Sequence, residues 1–289
     1  MNAGNDSGDS VTTAPIPLES FRSVYVEMFY LAPDASMDAQ TVDATIPLAT
    51  GSACFFKMEG FSFVVTARHN LSGRHWETNE ILSSRGVEPT HLRVRFRERP
   101  EGTQFAQPTL RVDEYLFPLV DDDGEPNWLE HPEHGRRMDV AALAFEPPDD
   151  NQVEFWLPQT SGSGIESGVW VAQEVFIVGY PFGQRGALDL PLWIRGTIAS
   201  EPALHYLHKD QPLPALLVDA RTRTGQSGSP VVILNRRFAD DTIEHVESPR
   251  SKLIGIYTGR ISDAADLGFV WRVEEVLKVL GSGIRGTFR

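Results

Sequence analysis

The chain has 289 residues, of which 41% are hydrophobic and 23% charged, and its formal net charge is −14. This acidic excess disfavours nonspecific binding to nucleic acid or to an anionic membrane, because the summed field repels polyanions. The sequence contains neither an apolar run of about eighteen residues nor a basic segment followed by an apolar one. It therefore predicts a cytoplasmic protein that neither spans a membrane nor is secreted.

Turn-forming residues are frequent along the chain. The 24 glycines and 20 prolines are spread among short apolar runs, which favours many strands over long helices. Residues 1–16 are small and polar and predict a mobile tail. Strand-like runs lie on both sides of a glycine- and serine-rich linker, 159–168, so we expect two β domains over 17–158 and 159–289. The second closes with the amphipathic run VEEVLKVL, which predicts a C-terminal helix.

Cys54 is the only cysteine, which excludes an intramolecular disulfide and fits a reducing compartment. It lies in the apolar stretch GSACFF, with no cation or base nearby in the sequence. A nucleophilic cysteine needs such a partner to form its thiolate. We therefore interpret Cys54 as a buried structural residue.

A row of arginines alternates with apolar residues in LRVRFR, residues 92–97. This period of two is typical of a strand with one buried and one solvated face. The arginines would serve either as a docking face for an acidic partner or as surface charges neutralised by nearby Asp and Glu. The second interpretation is favoured.

Residues 98–138 form a polar segment that invites two metal-site hypotheses. Its acidic run is similar to a calcium loop, but Leu119 would hold the first ligand position, where a hard cation needs oxygen. His131 and His134 are the other candidate ligands, and the segment offers no sulfur or helical register to complete a tetrahedral site. We expect a solvated loop without a metal.

The stretch TGQSGSPVVI is the first candidate for chemistry. Ser227 lies between Gly225 and Gly228, and glycines permit the tight turn that exposes a nucleophilic hydroxyl. Such a turn also directs the N–H groups of Gly225 and Ser227 to one point, which would make an oxyanion hole.

A serine nucleophile requires a base and a carboxylate that orients the base. VVTARHN places His69 just after an apolar strand, and MDVAALAF places Asp139 at the start of another. Both side chains are therefore expected at strand ends, where distant parts of a β protein converge.

These three segments resemble the signatures of the chymotrypsin/trypsin superfamily, in the order His, Asp, Ser. TARHN resembles TAAHC, DVAAL resembles DIALL, and GQSGSP resembles GDSGGP. VGYPFG with WIRGTIAS is similar to the strands that open the second barrel in bacterial members, KLIGIYTGR to the substrate-pairing strand, and GFVWRVEEVLKVL to the last strand and terminal helix. The resemblance extends from residue 21 to residue 285.

The resemblance implies an all-β fold of two packed antiparallel six-stranded barrels, with a C-terminal helix and the active site in the cleft between the barrels. It implies a cofactor-free serine endopeptidase that acts on protein or peptide substrates. Ser227 would be the nucleophile, His69 the general base and Asp139 the orienting carboxylate, with the oxyanion hole at Gly225 and Ser227.

Three departures from the family signatures bear on this interpretation. Cys54 stands where the histidine-loop disulfide would begin, while Asn70 holds its partner's position, so this bridge is missing. Gln226 replaces the aspartate that pairs with a cut amino terminus in zymogens, which argues against activation by trimming. Ser229 replaces the second glycine and is interpreted as a substitution, not as the nucleophile.

The chain ends at Arg289, shortly after the expected helix, so we expect no appended peptide-binding domain of the kind found in many bacterial relatives. Control of a cytoplasmic peptidase would then come from its loops, its tail, its assembly or a regulatory protein partner.

By the resemblance, five residues would bind the substrate around a specificity pocket: Arg221, Thr258, Gly259, Arg260 and Gly268. Arg221 would lie at the base of the pocket, with Arg260 and Gly268 on opposite walls. Two guanidinium groups would repel Lys and Arg, so we predict cleavage after acidic or small residues. Tyr257 stands where relatives specific for Glu usually have histidine.

Two other classes of protein share parts of this sequence pattern. A non-catalytic trypsin-like binding or scaffold module is the alternative, since a fold can persist without its activity. An α/β-hydrolase esterase also surrounds its serine with glycines, but that fold requires the order Ser, Asp, His and alternating helices.

Overall fold

The computed structural model describes residues 16–31, 45–97, 112–147, 153–158, 168–235, 250–262 and 264–288. Nearly all of the predicted tail, 1–16, and of the predicted linker, 159–168, lies outside these residues.

The first half of the chain builds an antiparallel sheet of eight strands, called here the N-terminal sheet. Its strands in chain order are β1 (Ser23–Leu31), β2 (Thr45–Met58), β3 (Phe61–Thr66), β4 (His91–Arg97), β5 (Val112–Pro118), β6 (Leu129–Glu130) and β7 (Ala141–Phe145), with the late strand β16 (Ile284–Arg285). They lie side by side in the order β16-β6-β7-β3-β2-β1-β4-β5.

The second half forms a closed barrel of six strands, called here the C-terminal barrel. The barrel strands are β8 (Glu174–Gly179), β9 (Leu192–Ile198), β12 (Ala215–Ala220), β13 (Ser229–Asn235), β14 (Arg250–Arg260) and β15 (Leu267–Arg272). A separate hairpin joins β10 (Tyr206–His208) and β11 (Gln211–Leu213). Three α-helices complete the described fold: α1 (Glu19–Arg22), α2 (Arg68–Ser72) and α3 (Val273–Ser282).

The fold class is the one the sequence predicted: mostly β, with a closed six-stranded barrel and a C-terminal helix. The N-terminal sheet differs in strand number from the expected six-stranded barrel. After α3 the chain returns to the first half, where Ile284 pairs with Glu130 and Arg285 with Leu129. Such a pairing of distant, two-residue strands leaves no periodic pattern in the sequence.

The arginine row of β4 behaves as predicted for a half-buried strand. Its apolar residues are buried and its arginines are partly exposed. Arg93 pairs with Glu27 at 3.0 Å, Arg95 with Glu114 at 2.5 Å, and Arg97 with Asp189 at 3.2 Å. The charges are therefore neutralised by neighbouring carboxylates, as expected.

One buried cluster joins the two halves, because it takes side chains both from the N-terminal sheet and from the C-terminal barrel. Cys54, Val65 and Met138 contribute from the first half, and Val232 and Trp271 from the second. This shared core brings strand ends from both halves together and thereby positions the site. No helix in the described part of the chain is long and apolar enough to cross a bilayer.

Cys54 belongs to this core and is fully buried. Burial raises the pKa of its thiol, since the thiolate would lose its hydration there. The structural interpretation of this cysteine is confirmed.

Candidate active site

His69 lies in α2, directly after β3, and its side chain is paired with Asp139. The ring Nδ1 is 2.8 Å from Asp139 Oδ2, and the backbone N–H of His69 donates to Asp139 Oδ1 at 3.0 Å. Asp139 is 2% exposed, so its carboxylate has little access to water. This bidentate contact favours the tautomer with the proton on Nδ1 and leaves Nε2 as an acceptor.

Ser227 lies in a tight turn between Gly225 and Gly228, both with φ of +94°. L-residues rarely adopt this conformation. A Cβ atom at Gly225 would lie 2.4 Å from the Tyr180 carbonyl oxygen, and one at Gly228 only 1.9 Å from the Ser52 carbonyl oxygen. Both glycines are therefore required by backbone conformation and by close packing, which agrees with the sequence analysis of this turn.

The three predicted triad residues line one cleft between the N-terminal sheet and the C-terminal barrel. The Ser227 hydroxyl donates to the Thr258 carbonyl at 2.8 Å. Among the described residues no hydrogen bond joins Ser227 to His69. In unliganded sites such a contact is often long and tightens only with substrate.

The two predicted oxyanion donors, the N–H groups of Gly225 and Ser227, belong to peptide units whose carbonyl oxygens are already hydrogen-bonded. Thr224 O accepts from Phe182 N at 2.6 Å, and Gln226 O accepts from Ser229 N at 3.0 Å. In a trans peptide the N–H points opposite to the carbonyl. The N–H groups of Gly225 and Ser227 therefore point away from these contacts, and within the described ranges neither has an acceptor.

Two residues with no predicted role, one in β2 and one in α2, hold the serine turn against the first half of the chain. Ser52 donates its N–H to Ser227 O at 2.9 Å and its hydroxyl to Gly225 O at 2.8 Å. Asn70 donates through Nδ2 to Ser227 O at 3.0 Å and to Thr66 Oγ1 at 2.9 Å. The only signal for this contact was that Asn70 replaces a cysteine of the family pattern.

Ser229 and Gln226, the other polar residues of the serine motif, face inward. Both are fully buried. Gln226 Oε1 accepts the Arg223 backbone N–H at 2.8 Å, so this side chain braces the turn from inside. Ser229 is not accessible to a substrate, whereas the partly exposed Ser227 is.

The predicted substrate-binding residues divide into two groups. Thr258, Gly259 and Arg260 line the cleft next to Ser227. Arg221 is exposed and Gly268 is buried, and neither belongs to the lining of this cleft.

A pair of aromatic residues in the lining of the cleft was not predicted. Trp76 and Phe269 both line the cleft, with ring centroids 5.8 Å apart in an edge-to-face arrangement. Trp76 comes from the segment after α2 and Phe269 from β15. The sequence pattern of neither segment predicts that the two rings meet.

The histidines considered as metal ligands meet a third group from α3. The ligand atoms of His131, His134 and Glu275 lie within 4.8 Å of one another. His131 Nδ1 accepts the backbone N–H groups of Glu133 and His134, each at 3.1 Å, so the ring proton resides on Nε2. That nitrogen is 2.9 Å from Glu275 Oε2 and is therefore a donor. This bonding suits a loop-to-helix anchor and not a metal centre, which would need Nε2 deprotonated.

A closed antiparallel barrel, with the His69–Asp139 pair and Ser227 meeting in the cleft beside it, defines the class of trypsin-like folds. The chain belongs to the trypsin-like peptidase domain family, whose model matches residues 51–237. The matched segment contains His69, Asp139 and Ser227. No curated protein matches the chain.

Solved structures of similar fold include three proteases. The MamO protease domain from Magnetospirillum magneticum, in its apo form, is 16% identical, with a TM-score of 0.48 over 90% of this chain and 96% of that one. The active form of the Rv3671c protease from M. tuberculosis is 14% identical, with a TM-score of 0.47 over 95% and 91% of the two chains. A serine endoprotease from Yersinia pestis is also 14% identical, with a TM-score of 0.46 over 93% and 66%.

Proposed function

We propose that the protein is a serine endopeptidase that hydrolyses peptide bonds of protein substrates through an acyl-enzyme intermediate. The observation that carries this proposal is the convergence of Ser227 and the Asp139-paired His69 on one cleft. Membership of a peptidase family supports the reaction class. We further propose that the protein works in the cytoplasm as two β units, 17–158 and 159–289, under the control of a regulatory partner or of assembly.

In the proposed mechanism the Ser227 hydroxyl leaves Thr258 O and turns to His69 Nε2. Ser227 Oγ forms a bond to the scissile carbonyl carbon while His69 takes the hydroxyl proton. The carbonyl oxygen becomes an oxyanion that the N–H groups of Gly225 and Ser227 stabilise. The carbon–nitrogen bond then breaks, and His69 gives its proton to the leaving amine.

Water completes the cycle by the same route in reverse. His69 takes a proton from water, the resulting hydroxide attacks the acyl carbon, and the proton returns to Ser227 as the new carboxylic acid departs. Asp139 keeps its charge throughout and stabilises the imidazolium through the 2.8 Å contact. No step requires a metal or a cofactor.

A binding or scaffold module remains the second candidate. The observation that favours it is the Ser227 hydroxyl, which is bonded to Thr258 O and not to His69. In a scaffold this arrangement would be permanent, whereas in an enzyme substrate binding would release it.

An active-site fluorophosphonate probe separates the two candidates. It reacts only with a serine that a neighbouring base activates. We expect the wild type and Ser229→Ala to be labelled on Ser227, as located by peptide mass spectrometry, and Ser227→Ala to be unlabelled. Ser229→Ala is the matched control, since it removes a hydroxyl from the same turn. An unlabelled wild type that binds proteins would favour the scaffold.

A further inference from the structure

The backbone of Tyr257 lies next to the turn that holds the candidate nucleophile. Tyr257 precedes Thr258, whose carbonyl holds the Ser227 hydroxyl, and Tyr257 O accepts the Gly228 N–H at 2.7 Å. Its side chain is 2% exposed. The residue that precedes the acceptor of the Ser227 hydroxyl is therefore a tyrosine whose side chain is closed to solvent.

Two contacts fix this ring. On one side it packs on Gly268, where a Cβ atom would lie 2.4 Å from Tyr257 Cε2 and 3.1 Å from Cζ. On the other side its hydroxyl is 2.5 Å from Thr222 Oγ1, and Thr222 is itself 1% exposed. Burial raises the pKa of Tyr257 to about 12, so the phenol stays neutral and keeps this hydrogen bond.

The ring thus spans from β15 to the segment just before the serine turn. The family resemblance implied that a substrate side chain fills the space between these two segments, with Gly268 on its wall. The missing side chain of Gly268 instead accommodates Tyr257. A closely packed ring that is hydrogen-bonded at its far end does not yield space without losing both contacts.

We propose that Tyr257 closes the specificity pocket, so that the enzyme cleaves after residues with small side chains: Gly, Ala and Ser. This inference rests on the proposed peptidase function and names the substrate class of the same site. A larger side chain before the scissile bond, whether apolar or charged, would have to displace the ring. Tyr257 is therefore a specificity-determining residue.

The test is a cleavage profile over a peptide library for three proteins: the wild type, Tyr257→Phe and Tyr257→Ala. We expect the wild type and Tyr257→Phe to cut after Gly, Ala or Ser, because both retain the ring. Tyr257→Ala should raise kcat/KM for Leu or Phe relative to Ala by about tenfold or more. A wild-type profile dominated by Leu, Phe, Glu, Lys or Arg would overturn the inference, as would an unchanged profile for Tyr257→Ala. If Tyr257→Ala does not fold, the other two profiles decide.

A binding measurement keeps this test separate from catalysis. In a Ser227→Ala background, product peptides that end in Ala or in Phe are titrated by NMR. We expect the Ala peptide to bind more tightly than the Phe peptide, and we expect Tyr257→Ala to reverse that order. If the Phe peptide binds as tightly as the Ala peptide, or more tightly, while Tyr257 is present, the proposal that Tyr257 closes the pocket is wrong. A wild type that the fluorophosphonate does not label would count against the proposed function alone, because the titration needs no turnover.

Discussion

Asn70 donates a 3.0 Å hydrogen bond to the backbone carbonyl of Ser227, so the residue that follows the candidate base is bonded to the candidate nucleophile. Asn70 is 3% exposed and also donates to Thr66 Oγ1 at 2.9 Å. One amide group therefore links α2 directly to the serine turn.

Replacing Asn70 by Ala should weaken both the fold and the site. Ser227 O would keep its bond from Ser52 N, but Thr66 Oγ1 would lose a buried donor, and such losses cost about 1–3 kcal/mol of unfolding free energy. Urea unfolding and peptide hydrolysis measure the two effects. Asn127→Ala, which removes an exposed amide bonded to Pro118 O, is the control and should change little. If Asn70→Ala keeps the stability and the turnover of the wild type, the hydrogen bond from Asn70 to Ser227 O does not position the serine turn.

Asp139→Asn should lower kcat about 10⁴-fold, because the neutral amide no longer selects the productive histidine tautomer. Its effect should not add to that of Ser227→Ala, since the two residues act in one step. Single-turnover assays of both single variants and the double variant measure this coupling. The exposed Asp123→Asn is the control. A double variant much slower than Ser227→Ala would contradict a shared step.

Glu130→Gln should destabilise the protein by about 3 kcal/mol or more, because it leaves the Arg68 guanidinium buried without a counter-ion. Arg68 is 0% exposed and lies 2.8 Å from Glu130 Oε1, while its other end donates to Thr287 O. Thermal unfolding of Glu130→Gln beside the exposed Glu80→Gln measures the difference. Equal unfolding temperatures would mean that water replaces the carboxylate.

The Glu275 carboxyl predicts a stability change at acid pH. Burial raises its pKa, but the hydrogen bond from Lys278 and the contact with His131 outweigh burial, and the net effect lowers the pKa. A lowered pKa stabilises the folded state above the ordinary value of 4.5, and this contribution is lost as pH falls through the folded value. The stability difference between the wild type and Glu275→Gln should therefore be constant at neutral pH and shrink below about pH 4.5. Chemical unfolding from pH 3 to pH 7 measures it, and a difference that grows toward acid would contradict the assignment.

The Cys54 thiol should resist thiol reagents in the folded protein at pH 8, because it is fully buried and its pKa is raised. In denaturant the single thiol should react at once. With a disulfide reagent that releases a coloured thiolate, absorbance measures the reaction rate of the folded and of the denatured protein. Rapid reaction of the native protein would mean that the shared core opens on the time scale of the assay.

Much of the fold was predictable because its signals are local. The alternation in 92–97 and the amphipathic run at 273–280 predicted β4 and α3, and both formed where expected. The short motifs at His69, Asp139 and Ser227 suggested one cleft, in which the structure places all three. Their catalytic roles stay a prediction.

The unpredicted parts of the site are contacts between residues far apart in sequence. Ser52 and Asn70 reach the serine turn across more than a hundred positions, as do Trp76 and Phe269 toward each other. The packing of the two halves against each other decides such contacts, and the local pattern of a short segment does not encode that packing. The position of the Tyr257 ring was also unpredictable from the sequence. Gly268 alone suggested an open pocket, whereas the structure places the ring against that glycine.

The hydrogen bonds of Ser52 join residues that are synthesised at different times. Its N–H, its hydroxyl proton and its oxygen contact Ser227 O, Gly225 O and Tyr180 N, all in the second half of the chain. The ribosome makes seven of the eight strands of the N-terminal sheet before it makes the serine turn, so Ser52 and its strand precede the turn that they contact. A nascent chain therefore contains His69 and Asp139 before Ser227 exists, and the cleft that the three residues line is complete only after the second half has been synthesised.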